Sequence, residues 1–193
     1  MRTSTFTRRR RRRRRALATA ALATGLASFV LAGCGIGANN QPASLPAASV
    51  GPATGVTGAT AQTRGEIAAA LATIGVQFGD ATRPYRPPES ARLRNAPRAV
   101  YQVVLPDLPD SGYIVVYEFA DSTAAVDAGN EEAGFLGTGP ARVNFPRDAQ
   151  HVLRQVGPTL ILYTWSPSES TDPTAGNVAS ALMKLGIGFT VPN

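Results

Sequence analysis

Cysteine occurs once in this 193-residue chain, at Cys34, and histidine once, at His151. A single thiol cannot close an intrachain disulfide, so no disulfide framework staples the fold. Zinc usually takes three or four Cys, His or carboxylate ligands; with so few available, no metal site and no cofactor is implied. A Ser-His-Asp hydrolase would have only His151 as its base, and no Gly-x-Ser-x-Gly elbow is present to activate a serine. His151 reads as a strand residue beside a turn. A span-length apolar run is also lacking. Ala16 to Leu31 is uncharged over 16 residues, short of the roughly 20 that a bilayer requires.

The formal charge of +6 suggests a basic protein, but nine of the 19 basic residues are Arg2 and Arg8 to Arg15. From Cys34 onward ten basic residues face thirteen acidic ones, a balance of −3. Without its N-terminus the chain is mildly acidic and lacks the basic face that nucleic-acid binding normally needs. Nucleic acid is therefore not an expected partner.

What is present at the N-terminus has the layout of an export signal: a basic segment to Arg15, the apolar run, then small residues at Ala32 and Gly33. Thr7-Arg8-Arg9 leaves the export route open between the general secretory and twin-arginine pathways. Leu31-Ala32-Gly33-Cys34 resembles the lipobox of bacterial lipoproteins. That resemblance implies cleavage before Cys34, a diacylglyceryl group on its thiol and acylation of the new amino terminus. One acyl chain gives only reversible membrane attachment, whereas two or more hold firmly. The expected partner is thus a membrane, held through acyl chains on Cys34, at the extracytoplasmic face.

Residues 34–62 read as the lipidated cysteine and a flexible tether. Gly35 to Gln62 holds five Gly, three Pro and seven Ala, with no charge and no periodic apolar stripe. Residues 63–193 read as one domain. Thr63 and Glu66 fit a capping box, and Ile67, Ala70, Leu71 and Ile74 follow at one-face helical spacing. Gly79 to Arg98 is broken by Pro84, Pro87, Pro88 and Pro97. Ala99 to Leu105 and Gly112 to Phe119 predict two strands joined by a turn. Asp121 caps a helix over Ser122 to about Leu136, weakened by Gly129 and Gly134. Gln150 to Val156 and Thr159 to Trp165 predict a hairpin across Gly157-Pro158. Asp172-Pro173 opens a helix carrying Val178, Ala181, Leu182 and Leu185, and Gly186 ends it.

The fold class expected is α+β, in the order α-β-β-α-β-β-α, with an antiparallel sheet covered by helices on one face. The equivalent places of Asp121 and Asp172 leave an internal duplication open. The opening helix, Val116 to Val126 (VYEFADSTAAV) and Thr159 to Gly186 resemble segments of small bacterial lipoproteins of unknown function. That likeness implies no catalytic residues.

Three features remain as candidate binding chemistry. Arg83, Arg86, Arg92, Arg94 and Arg98 form a basic loop suited to anionic headgroups, a wall polymer or an acidic envelope protein. Asp107, Asp110, Glu118, Asp121, Asp127, Glu131 and Glu132 form an acid-only run. Tyr113, Tyr117 and Phe119 share one strand face, and Tyr163 and Trp165 another. These rings suit either a sheet core or a binding groove. The function expected is a noncatalytic binding or accessory module of the cell envelope. The alternatives are an envelope hydrolase using acidic residues and a purely structural lipoprotein.

Overall fold

The computed structural model describes residues 57–192. Cys34 and the segments expected to form the lipobox, the export signal and the tether up to residue 56 lie outside the described residues. Among those described, no helix is long and apolar enough to cross a membrane. The elements are α1 (Gly58–Ala72), β1 (Phe78–Asp80), α2 (Ala91–Asn95), β2 (Arg98–Val103), β3 (Tyr113–Glu118), α3 (Ser122–Gly137), a 3-10 turn (Gly139–Asn144), β4 (Gln150–Val156), β5 (Thr159–Trp165), α4 (Thr174–Leu182) and β6 (Ile187–Gly188). The α+β class stands, but the expected element order lacks β1, α2, the 3-10 turn and β6. Each of these is short or set among prolines and glycines, where periodicity carries no signal.

The six strands form one antiparallel sheet in the order β1-β2-β3-β5-β4-β6. The central register pairs Ile114 with Tyr163 and Val116 with Ile161. The sheet is covered on both faces, not on one. Ile114, Val116, Ile161 and Tyr163 pack with Ile67 and Leu71 of α1 and Val178 and Leu182 of α4. Val115, Tyr117, Leu160 and Leu162 point the other way, toward Leu93 of α2 and Ala128 and Leu136 of α3. Strands buried on both sides read as continuous apolar runs. Tyr113–Glu118 (YIVVYE) and Thr159–Trp165 (TLILYTW) are such runs, and residues 114 to 118 are all buried.

Crossover handedness explains why α3 and α4 end up on opposite faces. β3 runs parallel to β4 and reaches it past β5; β5 runs parallel to β6 and reaches it past β4. Both crossings move the same way across the sheet, yet β3 and β5 are antiparallel. Crossovers of one hand must then put their helices on opposite sides, and right-handed crossovers are the strong rule. The same placement breaks the duplication suggested by Asp121 and Asp172. A two-fold relation between the hairpins β2–β3 and β5–β4 would leave both helices on one face.

The start of α1 also differs from expectation. The helix begins at Gly58 with Thr57 as N-cap, so residues 58–62 belong to the domain and not to the tether. Thr63 lies inside the helix, buried, its hydroxyl 2.8 Å from that of Thr159. The helix is extended because Glu118, at the end of β3, serves its N-terminus. One carboxylate accepts from the Thr57 amide (2.9 Å), the Thr60 hydroxyl (2.6 Å), the Thr60 amide and the Thr57 hydroxyl. These groups satisfy donors that a helix start otherwise leaves unpaired. α4 is shorter than expected: it runs from Thr174 to Leu182 with Pro173 as N-cap, so Leu185 and Gly186 lie beyond it. The signals at α3 and at the second hairpin hold. Asp121 Oδ1 accepts from the Ala124 amide at 2.8 Å, and β4 and β5 have the predicted limits, joined at Gly157 with φ of 54°.

Candidate functional site

One end of the sheet gathers β2, which ends there, β3, which starts there, and β5, which ends there. The loops 104–112, 145–149 and 166–173 converge at this end around a cleft of about 350 Å³. Five aromatic side chains line it: Tyr85, Tyr113, Phe145, Tyr163 and Trp165. The Tyr85 and Tyr113 rings stack at 4.1 Å and 6°. Gly112 forms part of the wall with φ of 82°, and a Cβ there would stand 2.6 Å from the Val103 carbonyl oxygen. Only glycine fits both the backbone conformation and the approach.

The cleft is held in shape by polar contacts behind it. Asp148 Oδ1 accepts from the Ser166 and Ser168 hydroxyls at 2.7 and 2.9 Å, and Oδ2 accepts from the Ser168 amide at 2.7 Å. This ties loop 145–149 to loop 166–173. The bond from Ser166 is the chief reason the Asp148 carboxyl lies below the usual range. The Tyr163 hydroxyl donates to the Ala175 carbonyl at 3.2 Å. His151 Nδ1 lies 2.9 Å from the Thr164 hydroxyl, with its ring edge against Phe145, and burial lowers its pKa. His151 is indeed a strand residue, in β4. It does not line this cleft.

The basic loop and the acid-only run meet each other. Arg83 Nη1 lies 2.6 Å from Asp110, and Arg92 pairs with Glu131 at 3.2 Å and Asp127 at 3.7 Å. Arg86 and Arg98 both reach Glu89, at 2.8 and 3.2 Å. Arg94 donates to the Glu89 carbonyl at 3.2 Å and its own carbonyl accepts from Arg86. The five arginines therefore lie beside carboxylates or main-chain oxygens of this same domain, and two of them, Arg83 and Arg92, meet acids of that run.

Two acids are deeply buried. Glu89 is 4 % exposed and also accepts from the Tyr117 hydroxyl at 2.7 Å. Burial, reinforced by Glu89, pushes the Tyr117 hydroxyl far above its ordinary pKa. Glu132 on α3 is fully buried; Oε2 accepts from the Ser90 amide at 2.8 Å, while Oε1 has no hydrogen-bond partner among the described residues. Burial raises its pKa to about 6, against the opposing Ser90 amide. Glu132 and Glu131 thus accept from the amides of the N-cap Ser90 and of Arg92 at the start of α2, which has no side-chain cap of its own. A hydrolase would need its carboxylates open to substrate. Glu89 and Glu132 are closed off and do not line the cleft; the carboxylates that line it are Asp110 and Glu169.

The structure therefore separates the aromatics proposed from strand periodicity. Tyr117 is fully buried core. Tyr163 is buried too, though it also borders the cleft, while Tyr113 and Trp165 are half-buried on its wall. Tyr85 and Phe145 were not legible, because each sits in an irregular loop. Their one local mark is a proline neighbour, Pro84-Tyr85 and Phe145-Pro146. Comparison with protein-family models finds no match, and comparisons with curated proteins and with solved structures find none either.

Proposed function

We propose that this protein is a lipid-anchored, noncatalytic binding module of the cell envelope, with the aromatic cleft as its ligand site. Cys34 carries the acyl chains, the tether gives the domain reach, and the cleft faces outward from one end of the sheet. The observation that carries the reading is the cleft itself. Small-molecule sites are concave, mostly apolar, and about 300–1,000 Å³ in volume. This one is about 350 Å³ and is walled by five aromatic rings.

The anchor and the site have separate tests. Cys34→Ser should abolish incorporation of labelled fatty acid and release the chain from the membrane fraction; unchanged labelling and fractionation would sink the anchor. The cleft contains the only tryptophan of the chain, Trp165. Its fluorescence should respond to ligands in a small-molecule panel, and Tyr113→Ala should suppress that response. A panel that leaves both Trp165 emission and the melting temperature unmoved would remove the binding reading.

A further inference from the structure

We infer that the cleft takes an organic cation, a protonated or quaternary amine carrying small apolar groups. The inference rests on the cleft being a binding site and adds the chemical class of its ligand.

Charge on the wall has one sign. The charged side chains lining the cleft are Asp110 and Glu169; no Lys, Arg or His lines it. Arg83 meets Asp110 from outside the lining at 2.6 Å. Glu169 is exposed and has no cation partner among the described residues. An anionic ligand would meet uncompensated repulsion at Glu169.

Aromatic faces supply the second contribution. Ring faces carry negative quadrupole potential and attract cations, most strongly for Trp and Tyr. Tyr85, Tyr113 and Trp165 all stand on the wall; the first two stack on each other, so one face of each is already covered by its neighbour.

Four of the seven hydroxyl groups on the same wall are engaged within the protein, which leaves fewer to serve an uncharged polyol: Tyr163 with Ala175, Thr164 with His151, Ser166 with Asp148 and Ser170 with Asp172. A cation with apolar substituents needs none of them. It needs rings and a nearby carboxylate, and both are present.

The test uses three compounds of nearly one shape: choline, its uncharged isostere 3,3-dimethylbutan-1-ol, and the anion 3,3-dimethylbutanoate. Each is titrated into the full chain carrying Cys34→Ser, with Trp165 fluorescence as readout. Choline should bind at least tenfold more tightly than the uncharged isostere, and the anion most weakly. Glu169→Gln should weaken choline at least threefold, leave the uncharged compound within twofold, and leave the melting temperature unchanged because the side chain is exposed. Equal affinity for choline and its isostere, or a choline affinity indifferent to Glu169→Gln, would overturn the cation assignment while the cleft still stood as a site. Failure of all three probes overturns the assignment too. The site itself falls only if the wider panel is equally silent.

Discussion

Phe189 lies against the backbone of Gly129, so close that a Cβ on the glycine would stand 2.3 Å from the ring. Gly129 sits in the middle of α3, where glycine costs about 1 kcal/mol relative to alanine. The cost is offset by the C-terminal tail, which lays Phe189 and Val191 on the core beneath α3. Gly134, five residues on in the same helix, has nothing within 4 Å of its Cβ position. The two glycines should therefore respond oppositely. Gly134→Ala should stabilise by about 0.5–1 kcal/mol, and Gly129→Ala should destabilise by about 1–3 kcal/mol through overpacking. Chemical denaturation measures both, and Phe189→Ala in the Gly129→Ala background should recover part of the loss.

Glu118 joins α1 to β3 across about 60 residues of chain. Burial works to raise its pKa, but the hydrogen bonds from Thr57 and Thr60 outweigh it and hold the carboxyl below its ordinary value. A depressed carboxylate contributes stability that is fully present above the unfolded pKa and is lost as pH falls through the folded one. Glu118→Ala should cost about 2–3 kcal/mol at neutral pH, since hydrogen bonds to a charged group are lost and buried donors are left unpaired. Hydrogen exchange should locate the damage: the first turns of α1 should lose protection before the sheet does.

Glu132 should behave with the opposite sign. Its folded pKa, about 6, lies above the unfolded value near 4.5. The unfolded chain then releases its proton first, so this group destabilises the fold progressively as pH rises through that window. Relative to the parent, Glu132→Gln should gain up to about 2 kcal/mol between pH 4 and pH 7. Parallel denaturation curves at the two pH values check this, and a constant difference between the proteins would refute it.

Glu89 and Arg92 contrast a buried carboxylate with an exposed pair. Glu89→Ala strands the Tyr117 hydroxyl and Arg98 and should cost about 3 kcal/mol. Arg92→Gln removes a pair whose arginine side chain is 45 % exposed and should cost under about 1 kcal/mol. Thermal melts in low and high salt separate the two, because only the Arg92 effect should be salt-sensitive.

Local sequence was enough wherever the controlling contact is local. The β4–β5 hairpin is set by two apolar runs around Gly157-Pro158, and the start of α3 by Asp121 three residues from the amide it caps. The proposed membrane address, too, rests on four consecutive residues ending at Cys34. Tertiary structure decided the rest, because those contacts join residues far apart in the chain. Glu118 moved the start of α1 to Gly58, and a shared crossover hand placed α3 and α4 on opposite faces. Pairing with Asp110, Glu131 and Glu89 set the arginine loop beside carboxylates of its own domain. The cleft depends on the same physics. Tyr85, Tyr113, Phe145 and Trp165 come from four separate stretches of chain, and no periodicity relates them. Only the convergence of loops at one end of the sheet makes them a wall.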